Sequence, residues 1–420
     1  MFIVYDAIFF LCALLYLPYL GVRGKWHRGF WMRLGLSLSA LREACACRNV
    51  IWFHAVSVGE VLAVEDLILR MKEKFSGHTF ILSTVTPTGQ RLAQTKLKDI
   101  CRVIYAPLDF SWVVRRYIRA IRPKMYICAE TEIWPNLYRC LQKEGVPIIQ
   151  VNGRISDRAF EGYKRISGFV KRVLDCISVF CMQSPLDAER VIRLGAEPSK
   201  VHVAGNLKFD SLPETAPVAK KDFGFEEGDR LLVAGSTHPG EEEIVMETYT
   251  RLRGEFPRLR LVIVPRHIER TGDIARLVQQ KGFLPLRLSQ YRDTKGDAQV
   301  VLIVDSIGYL RVFYSLAEVV FIGKTFKVGG GQNMIEPLYF GKPTFVGPWT
   351  QNFKDVVRIF LRTGALVQVR QEEELWQAMR EFLASPSRAE AAGASAREMI
   401  KICQGATQKT LELISGVLKA

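Results

Sequence analysis

The chain has 420 residues, more than one hydrophobic core usually serves, so two domains are expected. Its hydrophobic fraction of 48% supports large buried cores, and 58 Lys and Arg against 43 Asp and Glu leave a charge of +15. Such a charge favours phosphate-rich partners, either nucleic acid or an anionic membrane surface. Nine cysteines lack any CxxC pair, and Cys45 and Cys47 are too close for ordinary zinc-ligand spacing, which argues for reduced thiols and against disulfides or structural metal.

The first twenty residues, MFIVYDAIFFLCALLYLPYL, are almost wholly apolar, and Arg23, Lys25, Arg28, Arg33 and Arg42 follow. An apolar stretch before a basic flank suits a retained membrane anchor with its basic side cytoplasmic; a cleaved signal peptide carries its charge first. The length is near the ~20 residues that span a bilayer. Asp6 and Pro18 leave open a span, a helix in one leaflet, or a buried core helix.

Strands and helices then alternate. Val50 to Phe53 reads as a strand, Gly59 to Phe75 as a helix and Thr79 to Ser83 as a strand. Thr86-Pro87 supplies an N-cap and a first helical residue. Lys124 to Ala129, Pro147 to Val151 and Cys176 to Cys181 are further strands, and Ser184-Pro185 opens another capped helix. Asp210 to Pro217 is turn-rich and poor in apolar residues, as a linker should be. A second series follows in Leu231 to Ala234, Leu259 to Val264, Val300 to Val304, Val319 to Ile322 and Pro343 to Val346. Glu372 to Leu383 and Ala406 to Leu418 read as helices. The pattern predicts two α/β domains with parallel sheets. The expected division is an anchor over 1–22, a first domain over 23–210, a second over 211–405 and a terminal helix over 406–420.

Six motifs combine glycines with charged side chains at the ends of apolar runs: His54–Glu60, Ala129–Pro135, Gly205–Lys208, Gly235–Glu241, Val264–His267 and Gly330–Pro337. Open α/β sheets bind ligands outside the carboxyl ends of their strands, so the motifs are expected to outline one cleft. No G-x-G-x-x-G follows the first strand, and Walker A, H-E-x-x-H and G-x-S-x-G are absent. Glu60 heads a helix directly after Gly59, where the dipole would keep it ionised near neutral pH as an available base; a capping role is the plainer reading. His54 and Ser57 stand in the same loop. Glu130 and Glu132 are two apart at a strand end, which in extended chain sends them to opposite faces. In the second half, Gly235 to Gly240 leads into Glu241, a turn whose amides and helix N-terminus favour an anion, with Arg266 and Lys208 as candidate cations. The glycines 329–331 before Asn333 and Glu336 could hold phosphate at their amides and a ribose hydroxyl at the carboxylate.

With these motifs in order, HAVSVGE, AETEIWP, GNLKF, GSTHPGE, VPRH and GGxNxxEP, most of the chain resembles the family of 3-deoxy-D-manno-octulosonic acid (Kdo) transferases of lipopolysaccharide biosynthesis. The resemblance implies a GT-B fold: two Rossmann-like domains facing a central cleft, with the N-terminal anchor helix. It implies an inverting transfer from CMP-Kdo to a lipid A precursor, lipid IVA, at the cytoplasmic face of the bacterial inner membrane, without metal or cofactor. Carried over by motif, Glu60 is the general base and Glu130 a second essential carboxylate. His54, Ser57, Gly59 and Glu132 support the acceptor site. Lys208, Ser236 and Gly240 stabilise the departing phosphate, Pro265 and Arg266 hold the cytidine, and Gly330, Gly331, Asn333 and Glu336 complete the donor site. Gln332 stands where the family usually shows histidine.

The membrane surface then accounts for the positive charge with no nucleic acid as partner. Two other readings stay open. A GT-B transferase or epimerase using a UDP-sugar would share the glycine loops and the ribose-binding glutamate. A nonenzymatic membrane-bound RNA-binding protein would share the charge, but the basic residues are dispersed and no aromatic stacking motif occurs.

Overall fold

Strands apolar on both faces, such as Val50 to Phe53, are stable only when both faces are covered, the situation of a parallel sheet packed by helices. The computed structural model describes residues 2–22, 29–46, 49–211, 218–291 and 299–419, and these runs form two parallel seven-stranded sheets. The chain divides into two compact units, Met1–Ser211 with Cys403–Ala420, and Leu212–Ile402. Arg23, Lys25, Arg28, Cys47 and residues 212–217 of the expected linker lie outside the described residues.

In the first unit the strands are β1 (Asn49–His54), β2 (His78–Thr84), β3 (Cys101–Tyr105), β4 (Pro123–Ala129), β5 (Ile148–Gly153), β6 (Val179–Met182) and β7 (Val201–Val203). Their order is β3-β2-β1-β4-β5-β6-β7, so the chain reverses its winding between β1 and β4. The helices are α1 (Phe2–Val22), α2 (Phe30–Arg33), α3 (Ser39–Cys45), α4 (Val58–Lys74), α5 (Pro87–Leu97), α6 (Ser111–Ile121), α7 (Pro135–Lys143), α8 (Asp157–Lys164), α9 (Ser167–Leu174) and α10 (Pro185–Arg193). Alternate strand residues feed two cores: Ile51, Phe53, Ile127 and Ile149 on one face, Trp52, Tyr126, Ile148 and Phe180 on the other. Val61, Val64, Leu67, Ile68 and Met71 bury one stripe of α4 against the former at helical spacing. Thr86 and Ser184 cap α5 and α10 as expected, accepting from the amides of Gly89 and Asp187. The strand expected from Cys176 starts only at Val179, because Asp175 to Ile177 close the turns after α9.

The second unit contains β8 (Arg230–Thr237), β9 (Leu259–Pro265), β10 (Leu284–Arg287), β11 (Val300–Ile303), β12 (Val319–Ile322), β13 (Thr344–Val346) and β14 (Leu366–Gln368), in the order β10-β11-β9-β8-β12-β13-β14. Here the reversal falls between β8 and β12. Its helices are α11 (Glu241–Glu255), α12 (Thr271–Gln280), α13 (Leu310–Leu316), α14 (Ile335–Tyr339), α15 (Lys354–Leu361), α16 (Glu373–Ala384) and α17 (Pro386–Cys403). The central strands are fully buried from Leu231 to Ala234 and from Val319 to Ile322.

Among the described residues no helix is long and apolar enough to cross a membrane, so the spanning form of the expected anchor is not seen. Instead, one stripe of α1 lies on the first unit. Phe2, Phe9 and Ala13 pack against its core, and Tyr5 and Asp6 hydrogen-bond to Asp109, Ser111 and Asn136. Val4, Ile8 and Leu11 on the other side of the helix are 56–60% exposed.

The last helix, α18 (Ala406–Lys419), returns to the first unit, where Ala406, Leu411 and Ile414 are buried beside the α4 stripe. Its first turn is capped from a distance: Asp210 accepts from the amides of Gly405 and Thr407 at 2.8 and 2.6 Å. Asp210→Ala is expected to cost about 0.5–2 kcal/mol, the range for a lost helix cap, and to loosen α18 selectively. Urea unfolding with proteolysis near residue 405 would show this; unchanged stability would remove Asp210 as the clasp.

Candidate active site

In the first unit the winding reversal separates the carboxyl ends of β1 and β4, and both acidic motifs lie there. Ser57 occupies the N-cap position of α4 but accepts no capping bond. Its hydroxyl donates instead to Glu60 Oε1 at 3.0 Å, while the Val56 amide donates to Oε2 at 2.8 Å. Glu60 is 8% exposed. Burial, then the charge of Glu130, push its pKa up to about 8, against the bonds from Val56 and Ser57. The expectation that the helix N-terminus keeps Glu60 ionised is thereby reversed, since desolvation outweighs the donors.

Glu130 ends β4 in the left-handed region, with φ of 53°, a conformation that a non-glycine residue holds only when its surroundings fix it. Three contacts do so: its amide donates to Val151 O, Gln150 donates to its carbonyl at 2.7 Å, and its carboxylate pairs with Lys208 at 2.8 Å. This turn also corrects the expectation of opposite faces for Glu130 and Glu132, because strand alternation stops at Ala129. Both carboxylates are part-buried, and burial followed by the charge of Glu130 raises the Glu132 pKa. Lys208 reaches Glu130 from the segment after β7, held by Asn152, whose Oδ1 accepts from the Leu207 amide at 3.0 Å. Asn152 is itself left-handed, with φ of 54°. Sequence reasoning missed Asn152; the Asn-Gly pair that closes β5 was its signal.

His54 has a structural place. Ser83 Oγ spends its proton on Phe53 O, so it accepts from Trp52 Nε1 and from His54 Nδ1, which lies 2.9 Å away. Burial, then Arg33, push the imidazole down to about 3, and it remains neutral with its edge toward the Trp134 ring. Gly59 is exposed in the first turn of α4, where an added Cβ would have Ser57 Oγ at 4.0 Å.

The second unit repeats the arrangement between β8 and β12. Ser236 and Lys324 close these strands with φ of 56° and 63°. The two loops approach so closely that a Cβ at Gly323 would lie 2.3 Å from Ser236 O. Glu241, wholly buried, ties them: Oε2 accepts from the amides of His238 and Lys324, Oε1 from those of Thr325 and Phe326. Gly240, with φ of 87°, provides the turn into α11. Pro265 ends β9 beside Thr237, and Arg266 follows with an exposed side chain. Burial, then the charges of Lys324, His267 and Arg266, push His238 down to about 4, which marks a positive neighbourhood suited to an anion. Gln332 has its amide nitrogen 3.2 Å from His238 Nε2.

The glycine run does not form the expected amide cradle. Gly330 and Gly331 donate to Trp349 O and Lys324 O, closing the loop on itself. Asn333 donates to Glu336, whose carboxylate also pairs with Arg311 at 3.1 Å. Sequence reasoning named Glu336 but missed Arg311, and gave no role to Glu241, His238 or Lys324. The first unit thus gathers carboxylates able to take a proton from a hydroxyl, with Lys208 paired to one of them, and the second gathers cations able to hold a phosphate.

A family model for 3-deoxy-D-manno-octulosonic-acid transferase (kdotransferase) matches residues 28–211. The chain is 30% identical to the 3-deoxy-D-manno-octulosonic acid transferase of Bordetella pertussis over 400 residues, covering 93% of this chain and 92% of that one. With the Haemophilus influenzae transferase the identity is 29%, covering 99% and 98%. A bifunctional glycosyltransferase/methyltransferase of Fusobacterium nucleatum is 35% identical over 382 residues, and the match spans 58% of that protein. The fold is shared with a UDP-GlcNAc 2-epimerase from Neisseria meningitidis (TM-score 0.62, 12% identity, 88% of this chain and 100% of that one). It is shared also with a glycosyltransferase from Rickettsia africae (TM-score 0.58, 12% identity, 89% and 98%).

Because the Glu60 pKa lies above its ordinary 4.5, the folded protein binds the proton more tightly than the unfolded chain. Wild type should therefore lose stability relative to Glu60→Gln as pH rises from about 4.5 to about 8, and level off above. Urea titrations of both proteins at about pH 5 and about pH 9 would read this; a constant difference would show that Glu60 is ionised throughout.

Proposed function

Because the chain belongs to the 3-deoxy-D-manno-octulosonic-acid transferase family, we propose that it moves Kdo from CMP-Kdo to a lipid A precursor with inversion at the anomeric carbon. The observation that carries this reading is the cluster of Glu60, Glu130, Glu132 and Lys208 at the β1/β4 reversal. Glu60 takes the proton of the acceptor hydroxyl. The oxygen attacks the anomeric carbon from the side opposite CMP, and the bond from that carbon to the phosphate oxygen breaks, its electrons leaving with CMP. A base with a pKa near 8 is matched to this task, since it binds the proton well yet ionises close to physiological pH. Glu130 keeps Lys208 beside the reacting groups. In the second unit, Lys324, Arg266 and His267 supply the field that holds the departing phosphate, with Ser236 and the Gly240 turn shaping the loop around it. Asn333 and Glu336, fixed by Arg311, face the sugar of the nucleotide.

The exposed apolar side of α1, with Val4, Ile8, Phe10, Leu11 and Leu14, supports a location of the first unit at the cytoplasmic face of the bacterial inner membrane. Docking of its opposite stripe on the protein favours a helix lying in one leaflet, beside the glycolipid acceptor.

The test is transfer to a tetraacylated lipid A precursor, with CMP-Kdo generated in the assay and the product read by its mass. Wild type should add Kdo, and folded Glu60→Gln should be slower by about 10²–10⁴-fold. The kcat/KM of wild type should rise with pH toward a limb near 8, since only the carboxylate form accepts the proton. A fully active variant would remove Glu60 from the mechanism. A folded wild type that adds nothing while a known transferase works in parallel would sink the reading.

A further inference from the structure

Helix α7 begins directly after the segment that carries Glu130 and Glu132, and it lacks a cap of its own. Trp134 occupies its N-cap position with no side-chain acceptor, and Pro135 follows. The first free amides, of Asn136 and Leu137, go instead to the carboxylate of Asp109 at 3.0 and 2.9 Å. Asp109 is held by the Tyr5 hydroxyl of α1, at 3.0 Å. The Asn136 side chain donates to Asp6 Oδ1 at 2.7 Å and to Asp109 O at 2.6 Å, and the same Asp6 oxygen accepts from the Ser111 amide at 3.1 Å. Asn136 is 2% exposed, so its amide has little water to replace Asp6.

From Asn136 the connection to the carboxylates is short. Ile133 and Trp134 pack against the same core as Phe2, Phe9 and Ala13 of α1. The Tyr138 hydroxyl, one turn into α7, donates to Glu132 O. Asp6 is the one charged residue of α1, and a helix needed only for attachment has no use for it. Its partners explain it.

We propose that Asp6 is a positioning residue of the transfer reaction: from the first helix it fixes Asn136 and, through the start of α7, the segment bearing Glu130 and Glu132. The first helix is then part of the scaffold of the acceptor site as well as the membrane contact. The inference rests on the transferase reading above.

The full chain is assayed in detergent micelles at saturating donor and acceptor, so that membrane attachment does not limit the rate. Asp6→Ala should lower kcat by about 10- to 100-fold, the scale of a displacement of about 1 Å at a reacting group, with the KM for CMP-Kdo unchanged. Asp6→Asn, whose Oδ1 still accepts both bonds, should stay within about twofold of wild type. Flotation with vesicles of anionic phospholipid should be the same for all three proteins. Full kcat in Asp6→Ala, or activity and flotation lost together, would overturn the proposal. Amide hydrogen exchange provides an arm independent of activity: Asp6→Ala should speed exchange at Asn136 and Leu137 while the interior of α4 is unaffected. Should wild type transfer no Kdo, the transferase reading falls, and this exchange result alone decides whether Asp6 holds the segment, unchanged rates overturning it.

Discussion

Buried and part-buried carboxylates that collect main-chain N–H groups hold this protein's loops in place, and much else depends on them. A parallel sheet ends its strands in loops whose amides have no neighbouring strand, and burying such donors unpaired is costly. Glu241 satisfies four of them and joins the loops on either side of the second winding reversal. Asp109 does the same for the start of α7, Asp187 for the Ile155 amide after β5, and Asp210 for α18. Glu60 belongs to this group through its bond from Val56, which makes one residue both clasp and candidate base. The arrangement gives each reversal a fixed rim, on which strained residues such as Glu130 and Ser236 can be held.

The interior strands were legible because burial on both faces demands unbroken apolar runs, and nine of the ten runs read this way begin within about two residues of the observed strand. The strands that escaped notice are β3, β7, β10 and β14, which are the four edges of the two sheets. An edge strand is covered less and pairs on one side only, so Cys101–Tyr105 keeps an exposed arginine and Leu284–Arg287 tolerates a proline. Nothing in such short, mixed stretches separates them from loops until a neighbouring strand is present.

At the site, legibility followed the same division between local and distant causes. Glu60 could be placed at the head of a helix from its own neighbours, but its protonation depends on burial and on Glu130, seventy residues further along. The alternation argument for Glu130 and Glu132 presumed an extended backbone; the left-handed turn arises from contacts with Gln150, Val151 and Lys208, which no local pattern encodes. The glycines at 330 and 331 did mark a tight loop, yet their amides serve the loop itself. Lys324, following Gly323 at the end of β12, carried no more signal than any surface lysine, and its importance comes from the fold bringing it beside His238.

The return of α18 to the first unit gives the chain a nested topology: the whole second unit is an insertion between two parts of the first. During synthesis the α4 stripe and its neighbours must therefore wait, with Val61 and Leu67 lacking the cover of Leu411 and Ile414 until α18 has been made. The second unit, continuous in sequence, can fold earlier. The unit that carries the candidate base is then completed after the second one, although most of it is translated before it, and damage to α18 strikes a domain whose other elements all precede residue 212.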